Sequence, residues 1–127
     1  MPFALKKIKK ILLVEDERIA QIVNKMLLEE LGYMITIAEN GQQALDMAQK
    51  NDYSLIFMDI GLPDMDGIEV TLKIRNREKT QRIPIVALTA FMQADLKEKC
   101  LAAGMDQVLT KPAAAATLQQ TIAQLAA

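Results

Sequence analysis

Ile11-Leu12-Leu13-Val14-Glu15-Asp16-Glu17 sets four apolar residues directly against three acids. A strand open to water on one side alternates apolar with polar, so an unbroken apolar run reads as a strand covered on both faces. Leu55-Ile56-Phe57-Met58-Asp59 repeats the pattern and again ends on an acid. Working outward, short apolar runs fall at Lys10–Val14, Met34–Ala38, Leu55–Asp59, Ile85–Thr89 and Gln107–Thr110. Helical patterns follow each of them, near Glu17–Leu31, Gly41–Lys50, Gly67–Arg77, Gln93–Ala103 and Ala113–Leu125, with ends good to ~2–4 residues. Strand–helix units in this order imply an α/β fold, a parallel sheet with helices on both faces. Gly32 and Gly104 stand where C-terminal capping glycines belong, Leu62–Gly67 is a turn cluster, and Pro112 is expected to open the last helix. No linker or repeat interrupts residues 1–127, which read as one domain with its core over about residues 9–125.

Composition narrows the chemistry. The chain has 127 residues, 51% hydrophobic and 24% charged, with a net charge of -1. That balance gives no broadly basic surface for nucleic acid or membrane. The lysines at 6, 7, 9 and 10 read as the solvated lead-in to a strand. No apolar run approaches the ~18 residues of a membrane span, and residues 1–10 lack a signal-peptide core. The single cysteine, Cys100, excludes an internal disulfide and fits a reducing cytoplasm; its helical setting suggests a semi-buried thiol. Histidine is absent. That removes Ser-His-Asp and Cys-His catalysis and His-ligated zinc, leaving carboxylates, hydroxyls, lysines and a hard metal.

Ligands of an open α/β sheet bind outside the carboxyl ends of its strands. There the first strand delivers Glu15, Asp16 and Glu17, the third Asp59, the fourth Thr89, and the fifth runs through Thr110 into Lys111. Singly, each has an ordinary structural use: Asp16 could cap the first helix, Thr89 could be a β-branched strand residue, and Lys111 a surface charge. Together they crowd Glu15, Asp16 and Asp59, a cluster that needs a cation or a lysine to hold it. Lys111 is one such partner, and a hard divalent ion bound by few carboxylates plus water is the other. An Asp nucleophile can form an aspartyl-phosphate. Asp59, alone on a central strand, suits that role, and the paired Glu15 and Asp16 suit metal ligation.

The ordered set Leu13-Val14-Glu15-Asp16, Met58-Asp59-Ile60-Gly61-Leu62-Pro63-Asp64-Met65-Asp66-Gly67, Val86-Ala87-Leu88-Thr89-Ala90 and Lys111-Pro112 resembles the CheY-like receiver domains of two-component response regulators. The likeness runs from about Lys9 to Leu125. It implies a flavodoxin-like, doubly wound (βα)5 domain with strands in the order 2-1-3-4-5. It also implies that Asp59 is phosphorylated from a phosphohistidine on a histidine kinase or histidine phosphotransfer protein. Mg²⁺, replaceable by Mn²⁺, would be held by Glu15, Asp16, Asp59 and the backbone carbonyl of Gly61. Thr89 and Lys111 would contact the phosphoryl oxygens, and the Lys111–Pro112 bond would be cis. Such a domain assists its own phosphorylation and dephosphorylation and turns over no separate substrate. Two positions depart from the pattern. Val108 stands where an aromatic switch residue is common, which shifts switching toward Thr89 and the loop after it. Ala113 stands where a bulky apolar residue often follows the Lys-Pro pair, which leaves room for a shallow depression beside the site.

The first helix is apolar over too wide an arc for one face. Its residues Ile19, Ala20, Ile22, Val23, Met26, Leu27, Leu28 and Leu31 span roughly 240° at 100° per residue, against the ~100° a core stripe needs. With Ala20, Val23, Leu27 and Leu31 on the sheet, Ile19, Ile22 and Met26 form a second stripe, read as a docking patch for the phosphohistidine partner. The alternatives are a folded pseudo-receiver that is never phosphorylated and a haloacid-dehalogenase-like phosphatase. The latter carries its nucleophile on the first strand, where this chain has Glu15-Asp16-Glu17. A flavodoxin-like electron carrier would need a Gly/Ser/Thr-rich phosphate loop there, and Asp64-Met65-Asp66-Gly67 lacks the spacing of a calcium loop. The style of Val86–Ala90 and Ala103–Asp106 points to the receiver of a hybrid histidine kinase, with a free-standing regulator or the receiver of a longer regulator as the other options.

Overall fold

The computed structural model describes residues 9–78 and 81–126; Lys6 and Lys7 of the lysine-rich lead-in lie outside them. Strand and helix alternate throughout: β1 (Lys10–Val14), α1 (Arg18–Glu30), β2 (Met34–Ala38), α2 (Gly41–Lys50), β3 (Leu55–Asp59), α3 (Gly67–Arg77), β4 (Ile85–Thr89), α4 (Leu96–Ala102), β5 (Gln107–Thr110) and α5 (Ala115–Leu125). The strands are parallel and ordered β2-β1-β3-β4-β5. Each strand occupies the apolar run assigned to it.

The unbroken apolar runs are explained by two cores, one on each face of the sheet. Leu12, Val14, Ile56, Met58, Ile85 and Ala87 meet Leu45, Val70, Ile74 and Cys100 from α2, α3 and α4. Ile11, Leu13, Leu55, Phe57, Val86 and Leu88 meet Leu28, Leu118 and Ile122 from α1 and α5. Successive residues of a strand point to opposite faces, so every position of β1 and β3 between Ile11–Val14 and Leu55–Met58 is fully buried.

Helix ends follow local chemistry. Gly32 and Gly104 adopt φ of +98° and +106° and close Schellman caps, with Tyr33 N donating to Leu28 O and Met105 N to Cys100 O, geometry that a Cβ disfavours. Asn40 caps α2 through Gln43 N, and Asp66 caps α3 through Glu69 N.

Two expectations, at Pro112 and Cys100, are corrected; the start of α4 falls within the stated tolerance, and the ordinary cap role open to Asp16 is not taken up. Pro112 does not open α5: the Lys111–Pro112 bond is cis, and Ala114 stays extended at ψ 151°, so the helix begins at Ala115. α4 starts at Leu96, after an isolated turn in which Leu96 N donates to Gln93 O; Leu96 is the first residue there to pack on the core. Asp16 does not cap α1, whose N-cap Glu17 makes no side-chain cap bond. Cys100 is fully buried, and burial raises its thiol pKa.

Of the α1 residues expected on the sheet, Leu27 and Leu31 pack against the core there, but the helix is rotated so that Val23 does not. The buried residues of α1 are Gln21 and Leu28, and Val23 is 48% exposed. The reason is polar: Gln21 Nε2 donates to the backbone carbonyl of Glu15 at 2.7 Å, which turns that side of the helix inward. Among the described residues no helix is long and apolar enough to cross a membrane.

Candidate functional site

The parallel ladder carries each acid to the rim. Glu15 N donates to Ala38 O at 3.0 Å, extending the β1–β2 pairing one residue past Val14, and Ile60 N donates to Leu88 O at 3.1 Å just past Asp59. On the far side, Lys111 N donates to Thr89 O at 2.8 Å. These three backbone bonds fix where the functional side chains leave the sheet.

Glu15 is completely buried, and Asp59 nearly so, whereas Asp16 is exposed. Each offers a carboxylate oxygen to a cluster in which these atoms lie within 4.8 Å of one another. Lys111 Nζ bridges two of them, at 2.6 Å from Glu15 Oε1 and 3.1 Å from Asp59 Oδ2. Asp59 Oδ1 accepts from the Gly61 amide at 3.0 Å, and Glu15 Oε2 faces Glu17 N at 3.3 Å. β4 brings Thr89 to the same rim, but its hydroxyl is turned into its own loop. It donates to Phe91 O at 2.9 Å and accepts from Phe91 N at 3.2 Å. Val108, at the position of the usual aromatic, is buried in β5, and Phe91 is 78% exposed.

One cation cannot balance this cluster, and the pKa values separate accordingly. Burial, with the Asp59 carboxylate beside it, raises Glu15 to about 7 despite the bond from Lys111. For Asp59 burial also acts upward, but the hydrogen bonds from Glu15, Lys111 and the Gly61 amide outweigh it and hold its carboxyl below the ordinary value. Burial would lower Lys111, yet its bonds to Glu15 and Asp59 leave it raised. The pair is thus biased, Asp59 toward its ionised form and Glu15 toward its protonated one, as interacting acids in unequal surroundings are.

Among the described residues the cluster offers carboxylate oxygens, and the chain has no imidazole; such donors suit a small hard dication, which takes few carboxylates and keeps several waters. The residues present fit such an ion: three carboxylates converge, and exposed Asp16 and Gly61 leave the cluster open to solvent on one side.

Residues 11–123 match the family described as the response regulator receiver domain. The chain belongs to that family. Among curated relatives of this receiver, hybrid signal transduction histidine kinase B of Dictyostelium discoideum is 42% identical over 117 residues, covering 84% of the chain and 6% of that protein. The aerobic respiration control sensor protein ArcB of Escherichia coli (strain K12) is 42% identical over 103 residues, covering 80% of the chain and 13% of that protein. The chain thus spans only a small part of the length of these kinases. Among solved structures, the receiver domain of sensor histidine kinase PA1611 from Pseudomonas aeruginosa PAO1 aligns with TM-score 0.85 and 42% identity, over 94% of this chain and 98% of that one. That structure has a magnesium ion coordinated in its active-site cleft. A chain of the co-crystal of the Saccharomyces cerevisiae histidine phosphotransfer protein Ypd1 with the receiver domain of Ssk1 aligns with TM-score 0.85 and 32% identity, over 95% of this chain and 92% of that one.

Two residues that shape the site escaped the sequence reading. Gln21 anchors the turn carrying Glu15; the only sign was a polar residue in the midst of an apolar helical arc. Asp64 binds the amides of Gly41 and Gln42 at 2.8 and 3.0 Å, a contact between distant segments that no local pattern announces.

Proposed function

We propose that this receiver takes a phosphoryl group on Asp59 from a phosphohistidine of a histidine kinase or histidine phosphotransfer protein. Glu15, Asp16, Asp59 and the Gly61 carbonyl would hold Mg²⁺, or Mn²⁺ in its place, and Thr89 and Lys111 would contact the phosphoryl oxygens. The observation that carries this reading is the convergence of three carboxylates within 4.8 Å around a lysine that already touches the candidate nucleophile.

A carboxylate oxygen of Asp59 forms the new O–P bond as the P–N bond to imidazole breaks, and the electron pair returns to the ring nitrogen. Asp59 must be ionised to attack, and its lowered pKa supplies that form. A dication held by these residues would supply charge neutralisation at the phosphoryl oxygens. Lys111, held cationic, stabilises the same charge from β5. The Gly61 amide orients the attacking carboxylate through Oδ1.

Docking is assigned to α1. Ile19, Ile22 and Met26 are 69%, 50% and 56% exposed, and the rotation of the helix adds Val23 to the stripe. Four exposed apolar side chains at helical spacing beside the acidic rim suit the apolar face of a partner helix. Residues 1–127 are read as one receiver domain working in the cytoplasm.

Intact-mass spectrometry after incubation with acetyl phosphate tests the assignment. One phosphate adduct is expected, dependent on Mg²⁺ or Mn²⁺ and lost in Asp59→Asn. An adduct of equal yield in that variant moves the nucleophile elsewhere, and no adduct on the wild type favours the pseudo-receiver.

A further inference from the structure

The loop between Asp59 and α3 carries Gly61, and its backbone ties lie at its base, where Ile60 N donates to Leu88 O of β4 at 3.1 Å and Gly67 N donates to Ile60 O at 2.9 Å. Among the described residues, Leu62–Met65 make no backbone hydrogen bond to another element. The tip is held instead by side chains: Leu62 and Met65 pack against the core on this face, and Asp64 supplies the polar contact to α2. Asp64 Oδ1 accepts from Gly41 N at 2.8 Å and Oδ2 from Gln42 N at 3.0 Å, while Oδ1 also accepts Met65 N at 3.0 Å. Asn40 takes the next amide of α2, that of Gln43. The first amides of α2, which its own turns leave unpaired, are thus shared between a local cap and a carboxylate from the site loop.

The seat is close-fitting. A Cβ built on Gly41 would stand 2.5 Å from Met65 Cγ, 2.8 Å from Val70 Cγ2 and 3.2 Å from Asp64 Oδ1. Only a glycine lets the loop and helix come this near. The bonds from Gly41, then Gln42 and Met65, keep Asp64 below the ordinary carboxylate range, so the clasp persists through neutral pH.

We infer that Asp64 is a positioning residue: by clasping the N-terminus of α2 it holds the Gly61 carbonyl in place for the divalent cation. The inference rests on the proposed metal ligands. Linkage makes it reciprocal, so that cation binding also tightens the clasp.

Mg²⁺ titration followed by amide NMR shifts, with no phosphodonor present, tests it. Asp64→Ala is expected to weaken Mg²⁺ binding about five- to tenfold, the lower range of such couplings. Asp64→Asn, which keeps an acceptor for Gly41 but loses the charge, should stay within about twofold of wild type. Hydrogen exchange at the Gly41 and Gln42 amides should slow on Mg²⁺ addition in the wild type and not in Asp64→Ala. Binding by Asp64→Ala within twofold of wild type overturns the inference. An equal loss in both variants also overturns it, because charge and not placement would then be the cause. A wild type with no Mg²⁺ response at all refutes the reading of the site itself.

Discussion

Replacing Arg75 with Met removes the best-connected side chain at the end of the sheet opposite the acids. Its guanidinium donates to Gly104 O through Nε at 3.0 Å and Nη2 at 2.8 Å, and to Ile83 O through Nη1 at 2.7 Å. It also pairs with Glu78 at 2.6 Å and Asp106 at 3.4 Å, with only 16% of the side chain exposed. Asp106 in turn accepts from Ile85 N at 2.9 Å, so one residue ties α3 to the start of β4 and to the turn into β5. Met fills similar volume but donates nothing. Ile83 O loses its charged donor and Gly104 O keeps only Arg82 Nη2 at 3.1 Å, at about 1–1.5 kcal/mol each once water enters; Glu78 loses its counter-charge while Asp106 keeps Arg82 at 2.7 Å, at roughly 1 kcal/mol more. The expected loss is about 3–4 kcal/mol, or roughly 10–15 °C in Tm for a domain of this size. Arg75→Lys keeps the charge but not the fork and should lose about half as much. Urea unfolding and circular-dichroism melts measure both. A loss below about 1 kcal/mol for Arg75→Met would place the cluster with ordinary surface ion pairs and refute the reasoning.

Mg²⁺ should raise the melting midpoint by mass action, about 1.4 kcal/mol at ten times Kd, which is roughly 4–6 °C; no rise beyond NaCl of equal ionic strength would sink the metal site. Glu15 gives a pH signature in metal-free protein. Its folded pKa of about 7 lies above its ordinary 4.5, so its contribution of up to about 3 kcal/mol is fully present below pH ~4.5 and is lost as pH rises through ~7. Stability should therefore fall between pH 5 and 7, and Glu15→Gln should flatten that slope; an unchanged slope assigns the proton elsewhere. Ile22→Ala should slow transfer from a phosphohistidine protein about tenfold and leave acetyl phosphate labelling and Tm nearly unchanged, since Ile22 is 50% exposed. Equal slowing with both donors would point to a distorted site instead of a docking patch.

The five strands were legible because burial on both faces leaves its mark at every residue of a run, as at Ile11–Val14. The rim residues were legible for a related reason: in a parallel sheet the carboxyl end of each strand follows directly from its position in the chain. The rotation of α1 was not. An apolar arc of about 240° accommodates several orientations, and the one adopted was decided by a hydrogen bond from Gln21 to a carbonyl, to which hydropathy is blind. The Arg75 cluster was equally hidden, because its partners at 78, 83, 104 and 106 meet only after the sheet has formed.

The charges at the rim set the order in which its contacts must change. Lys111 now spends its bonds on Glu15 and Asp59, and with a proton near Glu15 it keeps the cluster tolerable without any other cation. A phosphoryl group on Asp59 would replace one carboxylate charge with close to two, and Lys111 cannot serve that group and Glu15 equally. At 2.6 Å the Glu15 contact is the shorter of its two, so it must give way if the lysine is to follow the phosphoryl oxygens. Glu15, buried and then without its ammonium partner, would hold its proton more tightly and ionise only if a dication replaced the lysine. Cation binding and phosphorylation are on this reasoning a single exchange of partners. The residue that links them is the lysine, and Glu15 is where the cost of a missing cation falls.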